Sequence, residues 1–364
     1  MDTTLDLAKK ALDTLINKFP VEELPPANRF HYHQGVFLRG MEDYYAVRGE
    51  KAYYNYIKNW IDLHVTEDGN LENSNFKEFD DLQPLNLVFR IYEETQDERY
   101  KKVLDNVMPL YLNWETNSKG GFWHKKHMQN QMWLDSLYMA GPLGVHYGAF
   151  SGKYEYIDLI ILQLELMWKY MRDEKTGLLY HAWDESKQKM WADTKTGLAP
   201  CFWGRSIGWL PVAMVDILDF LPENHPKREM VINCLKTLIE SVCDYQDEES
   251  GMWYQVVNRG LDENNWLESS CTCLFACSIA KGIRMGYLDK KYADNAKKAY
   301  RGVLKYTREE GNEFYVDNIC IGTGVMNYEG YLARPTSTND LHGVGAFVLM
   351  CCEIARLESE YQRG

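Results

Sequence analysis

Gly177-Leu-Leu-Tyr-His181 separates two segments in which apolar residues recur at helical spacing, 154–172 and 205–221. The stretch follows a polar turn and runs into aromatic residues, and four other stretches resemble it. They are Gly69-Asn-Leu71, Gly120-Gly-Phe-Trp-His124, Gly251-Met-Trp-Tyr-Gln255 and Gly311-Asn-Glu-Phe-Tyr315. Successive glycines are 51, 57, 74 and 60 residues apart, close to one sixth of the 364 residues. This spacing predicts a helical hairpin that is repeated six times.

Helical periodicity extends over most of the chain, and period-two alternation is scarce. The predicted helices are 4–18, 31–47, 51–64, 81–95, 98–115, 130–150, 154–172, 205–221, 227–245, 267–284, 290–307 and 340–358. Pro109 is expected to kink or divide the helix that contains it. Two segments, 157–171 and 212–221, are apolar nearly all round, which predicts burial on more than one side.

A hairpin that cannot bury its apolar face alone must stack on its neighbours. Six hairpins that close on themselves leave no exposed terminal repeat, and no Pro- or Ser-rich linker divides the chain. We therefore predict an all-α protein, an (α/α)6 barrel formed by residues 1–364 as one catalytic domain. The glycine turns are expected at the barrel mouth, as short strands or loops.

The chain has 40 basic and 53 acidic side chains, a net charge of −13. This excess of negative charge argues against nucleic-acid and membrane partners, which require basic surfaces. The sequence has no apparent secretory signal and no apolar run of membrane-spanning length. Nine cysteines at irregular positions, several amid apolar residues, are typical of reduced, buried thiols. A cytoplasmic location is expected.

Neither nucleotide binding nor serine-hydrolase chemistry is supported by the sequence motifs. The sequence has no phosphate-binding loop and no dinucleotide fingerprint after a predicted strand, so nucleotide cofactors are not expected. Gly204-Arg-Ser206-Ile-Gly208 matches the nucleophile elbow of serine hydrolases literally. That elbow requires a preceding strand and alternating β/α elements, which are missing here.

Metal binding has little support in the sequence. Cys271, Cys273 and Cys277 lie in an apolar helical segment and lack a second Cys/His pair at zinc spacing. His31 and His33 are two residues apart and would point in different directions on a helix. We expect no metal ion and no organic cofactor.

Two acidic stretches carry the candidate catalytic groups. Asp135 lies among aromatic and apolar residues, where low dielectric would raise its pKa and keep it protonated as a general acid. Glu78-Phe-Asp80-Asp81 supplies a second carboxylate. Helix capping is the alternative interpretation of both stretches. Two facing carboxylates are the usual equipment for cleaving glycosidic bonds.

Aromatic and cationic residues near these stretches fit a sugar acid. Trp133, Trp183 and Trp203 are candidates for stacking on sugar rings, although such side chains also fill cores. The candidates for binding a carboxylate by charge-assisted hydrogen bonds are Arg205, His181 and Lys125.

Four motifs together resemble glycoside hydrolase family 105, the unsaturated rhamnogalacturonyl hydrolases and their unsaturated-glucuronyl relatives. They are Gln131-Met-Trp-Leu-Asp135-Ser-Leu-Tyr-Met139, Tyr180-His181-Ala-Trp-Asp-Glu185, Phe202-Trp203-Gly-Arg205-Ser-Ile-Gly-Trp209 and Asp340-Leu-His-Gly-Val-Gly-Ala-Phe347. Members of this family are (α/α)6 barrels. Two positions depart from many relatives, Phe30 in place of Trp and the Ser206-Ile207 pair, and both concern substrate detail.

The resemblance implies roles for the residues that match these motifs. Asp135 would be the general acid/base and Asp80 the second active-site carboxylate, with Asp81 as the alternative for the latter. The substrate-binding residues that the resemblance implies are His181, Trp203 and Arg205, with Lys125, Trp133, Met139 and Tyr32 lining the pocket.

The activity implied is release of an unsaturated uronic acid from lyase-generated oligosaccharides. The substrate's C4=C5 double bond is a vinyl ether, so protonation at C4 gives a cation at C5 that water attacks. Unsaturated galacturonyl-rhamnose from rhamnogalacturonan is the expected substrate. An unsaturated glucuronyl group from ulvan, arabinogalactan or glycosaminoglycan fragments is the alternative. A silent carbohydrate-binding toroid and a hydrolase of saturated glycosides also stay open.

Overall fold

The computed structural model describes residues 4–72, 74 and 76–363. Most of these residues are helical. The helices are α1 (Thr4–Lys18), α2 (Tyr32–Arg48), α3 (Lys51–Asp62), α4 (Asn86–Thr95), α5 (Glu98–Val107), α6 (Pro109–Leu112), α7 (Asp135–Ser151), α8 (Glu155–Met171), α9 (Gly204–Phe220), α10 (Arg228–Cys243), α11 (Ser269–Arg284), α12 (Ala293–Leu304), α13 (Tyr328–Leu332) and α14 (Leu341–Arg363). Short 3-10 turns are formed by Val21–Glu23, Phe79–Asp81, Gln83–Leu85, Val257–Arg259 and Lys290–Tyr292.

Six helices form an inner ring, in the order α2, α4, α7, α9, α11 and α14. The His146 ring of α7 stacks between Phe89 of α4 and Phe220 of α9, with centroids 3.6 Å apart on each side. The ring closes where α14 packs against α2, and α1, α3, α5, α8, α10 and α12 pack outside it. This is the predicted (α/α)6 barrel.

Position in the barrel decides how far each apolar helix is buried. Helix α9 lies in the inner ring and is buried along nearly its whole length, as predicted for 212–221. The matching prediction for 157–171 is wrong in part. Helix α8 is an outer helix, and its Asp158 and Lys169 face solvent.

The five repeated glycine turns share one backbone conformation. Their glycines all have positive φ, at 76° for Gly69, 86° for Gly120, 72° for Gly177, 76° for Gly251 and 62° for Gly311. A side chain with a Cβ adopts this region only with strain, which explains the choice of glycine. Antiparallel bridges flank three of the turns, at Val65–Leu71, Thr116–Phe122 and Arg172–Leu179.

Six short strands form three two-stranded antiparallel sheets. They are β1 (Gln131–Trp133), β2 (Ala182–Asp184), β3 (Thr307–Glu310), β4 (Glu313–Val316), β5 (Ile319–Cys320) and β6 (Thr336–Ser337). Trp133 of β1 pairs with Ala182 of β2, which joins the segment before Asp135 to the segment after His181. The sheet therefore brings two of the predicted motifs together.

Several predicted helix boundaries differ from the observed ones, and three of the differences have a clear structural cause. Residues 131–133 are strand rather than helix, and α7 begins at Asp135. The segment 98–115 divides at Met108, because Pro109 lacks the N–H that a continuous helix needs. The predicted helix 81–95 begins only at Asn86, after two 3-10 turns. Pro84 in the second turn accounts for this, since a residue before proline disfavours α geometry.

The capping alternative for the acidic residues is wrong at both places. The residue before α4 is Leu85 and the residue before α7 is Leu134, and neither helix start has a side-chain cap. The carboxylates of Asp80 and Asp135 are therefore free for another purpose.

All nine cysteines are free, and eight of them are buried, including the three in α11. Within the described part of the chain, no helix combines the length and the apolar character needed to cross a membrane.

Candidate active site

A cavity of about 350 Å³ lies at the N-terminal ends of the inner helices. Eight of the nine side chains predicted for the site line this cavity. They are Tyr32, Asp80, Lys125, Trp133, Asp135, Met139, Trp203 and Arg205. The ninth, His181, is fully buried behind Asp135, and its Nε2 lies 3.3 Å from Asp135 Oδ2.

The barrel brings these side chains to one place because most of them lie at or near the start of an inner helix. Tyr32 is the first residue of α2, Asp135 is the first residue of α7, and Trp203 immediately precedes α9. Asp80 lies in the turn before α4. The positive ends of the inner-helix dipoles therefore point towards the cavity, which favours a negatively charged ligand.

Asp80 is 6% exposed and lies near three basic side chains. Its Oδ2 is 3.3 Å from Lys125 Nζ and 3.9 Å from His31 Nε2, and its Oδ1 is 3.8 Å from His124 Nε2. Burial raises the pKa of Asp80 to about 7; the Lys125 charge opposes this shift, and the Glu78 and Asp135 charges add to it. Near neutral pH this carboxyl group can both hold and release a proton.

The pKa of Asp135 is shifted in the opposite direction from the prediction. Burial acts to raise it, but the His181 imidazole, followed by the His124 imidazole, outweighs burial and lowers the pKa below its usual value. The sequence showed the apolar neighbours of Asp135 and not the two imidazoles, which come from distant segments. Asp135 is thus the more acidic of the two carboxyl groups in the free protein.

A tyrosine fixes the imidazole behind Asp135. The Tyr331 hydroxyl lies 2.7 Å from His181 Nδ1 and accepts the backbone N–H of Met326 at 3.5 Å. Its own proton therefore goes to Nδ1, which leaves the imidazole proton on Nε2, facing Asp135. His181 Nε2 and Asp135 Oδ2 are both buried and face each other across 3.3 Å, so the imidazole positions the Asp135 carboxyl group.

Arg205 fixes one wall of the cavity. The buried guanidinium donates hydrogen bonds to the carbonyl oxygens of Cys320 and of Ile321, the latter at 2.8 Å, and stacks on Trp203 at 4.6 Å. These bonds hold the loop that leads to Gly322 and Gly324, two further cavity residues. They use one N–H of each terminal nitrogen, so the remaining N–H groups are available to a ligand carboxylate.

Ten further residues line the cavity and were not predicted for the site; the ionisable ones are Arg29, His31, His33, Glu78 and His124. Glu78 forms ion pairs with both Arg29 and Lys125. Its place in the acidic stretch, and the place of His124 at the end of a glycine turn, were usable signals. No motif in the sequence includes Arg29, because only folding brings this residue to the cavity.

Two sequence candidates lie outside the cavity. Asp81 faces Arg29, whose Nη2 is 3.4 Å from Oδ1. The Trp183 ring stacks on Tyr170 at 4.5 Å and donates its Nε1–H to the Thr196 carbonyl at 3.0 Å. The expectation that Trp183 stacks on a sugar is therefore wrong.

A second cavity, of about 220 Å³, lies between α2, α4, α7 and α9. It contains none of the predicted site residues, and its buried charged groups are paired within the protein. Arg39 binds Glu42 at 2.9 Å, and Asp216 binds Lys281 at 2.6 Å. We therefore take the cavity with Asp80 and Asp135 as the candidate active site.

A closed ring of helical hairpins with two carboxylates, cations and aromatic rings in one mouth cavity defines a class, the (α/α)6-barrel glycoside hydrolases. A family model described as Glycosyl Hydrolase Family 88 matches residues 7–358. The chain belongs to the glycosyl hydrolases that this model describes and is a member of family 105, as the sequence motifs indicated. It is therefore a glycoside hydrolase.

Individual relatives agree with this assignment. A family 105 glycoside hydrolase structure from C. acetobutylicum ATCC 824 is 31% identical to this chain, with a TM-score of 0.90 over 96% of this chain and 99% of that chain. The unsaturated rhamnogalacturonyl hydrolase YesR of Bacillus subtilis (strain 168) is 26% identical over 83% of this chain and 82% of its own. An unsaturated 3S-rhamnoglycuronyl hydrolase of Alteromonas sp. (strain LOR) is 24% identical over 61% and 50%.

Proposed function

We propose that this protein releases the unsaturated galacturonic acid from the disaccharide that it forms with rhamnose in lyase-treated rhamnogalacturonan. Family membership supports the broader activity, that of an unsaturated uronyl hydrolase. The observation that carries the proposal is the cavity in which Asp80 and Asp135 face a buried arginine, a lysine and the positive ends of the inner helices. The similarity to YesR supports the rhamnogalacturonan disaccharide in particular.

The reaction starts at the double bond of the sugar acid and not at the glycosidic oxygen. Asp135, once protonated, donates its proton to C4, and the C4=C5 π electrons form the new C–H bond. The positive charge that results at C5 is shared with the ring oxygen. Water adds at C5 and gives up a proton to the ionised Asp135, which returns to its protonated form. The hemiketal so formed opens by cleavage of the bond between C5 and the ring oxygen, which takes the hydroxyl proton and leaves a ketone at C5 and a hemiacetal at C1. The hemiacetal then breaks its bond to the neighbouring sugar, which leaves with the hydroxyl proton, and an aldehyde remains at C1.

In this scheme Asp80 is the source of the proton that Asp135 needs. In the free protein the proton of the pair resides on Asp80, whose pKa is about 7. A bound sugar carboxylate adds negative charge beside Asp135 and excludes water, and both effects raise the pKa of a carboxyl group. We infer that substrate binding moves the shared proton to Asp135, where C4 receives it.

The cationic side chains bind the sugar carboxylate, and the aromatic ones hold the flat unsaturated ring. Arg205 has N–H groups left after it has bound the two loop carbonyls, and Lys125 lies beside Asp80. The aromatic and apolar walls are Trp133, Trp203, Tyr32 and Met139. His181, with its Nε2–H directed at Asp135, orients the acid.

An unsaturated glucuronyl substrate is the second candidate. The relative from Alteromonas is named an unsaturated 3S-rhamnoglycuronyl hydrolase, which favours a rhamnoglycuronyl substrate. In the cavity, the same cations would serve either uronic acid, because both carry one carboxylate on an unsaturated ring.

The test follows the ultraviolet absorbance of the conjugated double bond, which disappears when water adds. We expect the purified protein to abolish the ultraviolet absorbance of the unsaturated galacturonyl-rhamnose disaccharide. The kcat/KM should be higher than for an unsaturated glucuronyl-rhamnose disaccharide. The saturated galacturonyl-rhamnose disaccharide, followed by release of rhamnose, is the control and should not react. Loss of absorbance with only the glucuronyl substrate would contradict the galacturonyl substrate and favour the second candidate. Cleavage of the saturated disaccharide would contradict the mechanism.

The pH profile tests the role of Asp80. We expect kcat/KM to fall as the pH rises through about 7, because the pKa of Asp80 lies there and the pair then loses its shared proton. Glu78→Gln removes a negative charge beside Asp80 and frees Lys125 to pair with it. Both changes lower the pKa of Asp80, so the falling limb should move to lower pH by about one unit.

The exposed Glu67 provides the matched control for this shift. Glu67→Gln removes one negative charge at the surface, where the side chain is 94% exposed, and should leave the profile in place. A falling limb that stays at the wild-type pH in Glu78→Gln would contradict the role given to Asp80.

We also propose that residues 1–364 act as one catalytic domain in the cytoplasm. The packing of α14 on α2 supports one closed barrel. The nine free cysteines support a reducing compartment, since thiols outside the cell are commonly paired.

A further inference from the structure

Three potential metal ligands converge where the first and last inner helices begin. His33 lies in the first turn of α2, His342 lies in the first turn of α14, and Asp340 immediately precedes α14. One ligand atom from each of the three lies within 4.8 Å of the other two. His342 is fully buried, and His33 and Asp340 are partly buried.

The proton on His342 can be placed from its partners. Its Nε2 lies 3.2 Å from the Cys320 carbonyl oxygen, which can only accept, so Nε2 carries the N–H. In the neutral ring, Nδ1 is then a bare lone pair. This nitrogen lies 2.8 Å from Asp340 Oδ1 but makes no aligned hydrogen bond with it.

The short contact between Asp340 and His342 calls for a positive charge between the two atoms. An oxygen of Asp340 and a nitrogen lone pair at 2.8 Å repel each other unless such a charge lies between them. Either a proton on Nδ1 or a metal ion can supply it.

His33 completes a donor set of two imidazoles and a carboxylate. Its Nε2 contacts the Tyr32 hydroxyl at 2.7 Å, as His342 Nε2 contacts a carbonyl. Outer partners of this kind are typical of metal-bound histidines, whose ring orientation they fix. A cavity of about 350 Å³ borders His33 and Asp340 and gives access and room for water ligands.

A comparison within the protein separates this cluster from an ordinary ion-pair group. His31, Glu78 and Asp80 also lie close enough to share an ion, but there Lys125 and Arg29 already neutralise the carboxylates. Among the described residues, no lysine or arginine lies within ion-pair distance of Asp340.

We propose that His33, Asp340 and His342 bind one divalent transition-metal ion of the zinc class. Imidazole nitrogens with one carboxylate are a common ligand set for such ions. The ion would join α2 to α14 at the closure of the barrel. Through the hydrogen bond from His33 it would also fix Tyr32 at the active-site cavity. It takes no part in the proposed reaction.

The test is calorimetric titration of the full-length protein, freed of metal by a chelator, with ZnCl2. We expect one saturable site in the wild type, and affinity weakened by more than about tenfold in His33→Ala and in Asp340→Asn. Asp340→Asn keeps the shape at the start of α14, so its fold is expected to persist even where His33→Ala is less stable. Titration with CoCl2 should give a visible ligand-field band in the wild type and not in the variants.

His225→Gln is the matched control, because His225 Nε2 lies 3.8 Å from Asp158 in a second histidine-carboxylate contact. This variant should bind zinc like the wild type. The proposal is overturned by the absence of saturable zinc binding, or by binding that His33→Ala and Asp340→Asn leave unchanged. In the first case the positive charge on Nδ1 is a proton. None of these measurements depends on the proposed hydrolysis.

Discussion

Asp135→Asn is expected to lower kcat by about 10³-fold while the protein stays folded. Asparagine has the shape of aspartate but cannot donate a proton to C4 or accept one from water. The fold should persist because the amide oxygen of asparagine can still face the Nε2–H of His181. The measurement is bleaching of the unsaturated disaccharide, with thermal melting followed by circular dichroism.

Asp193→Asn is the control for this result. Asp193 is an exposed aspartate in the segment between β2 and α9, and its loss removes the same charge outside the cavity. It should leave kcat within about twofold of the wild type. Activity of Asp135→Asn within tenfold of the wild type would remove Asp135 from the role of acid/base.

The second large effect distinguishes two adjacent aspartates. Asp80→Asn is expected to reduce kcat by about 10²-fold or more, because Asp135 can then no longer receive its proton from Asp80. Asp81→Asn should cost less than about tenfold, because Asp81 contacts Arg29 and does not line the cavity. Both side chains are buried and differ by one position, so each variant controls for the other.

The same comparison can also contradict the role given to Asp80. A larger loss of kcat in Asp81→Asn than in Asp80→Asn would make Asp81 the second carboxylate. Melting temperatures of both variants would show whether a loss reflects unfolding, and steady-state kinetics would separate KM from kcat.

The fold was predictable because its signals are local and repeated. The spacing of the five glycine turns indicated six hairpins, and each glycine has the positive φ that explains its place. The boundaries were less predictable at proline and at the sheet. Residues 131–133 pair with 182–184, and this long-range pairing leaves no local signature distinguishable from an apolar helix.

The residues that line the candidate site were largely predictable, but their electrostatics were not. Eight of nine predicted side chains line one cavity, since the motifs lie at helix starts that the barrel gathers at one end. The sequence suggested a raised pKa for Asp135, whereas the structure lowers it through His181 and His124. Those imidazoles are 46 and 11 residues away along the chain (181 − 135 and 135 − 124), and only folding brings them close.

The sequence by itself determined the helical hairpin repeat, the family and the identity of most cavity residues. Helical periodicity, glycine turns and motifs are properties of neighbouring residues, so they can be read along the chain. The tertiary structure decided that the pKa of Asp80 is raised and that of Asp135 lowered, which of Asp80 and Asp81 lines the cavity, and that His33 lies beside His342. These depend on distances between side chains from separate helices, because burial and Coulomb interactions act through space.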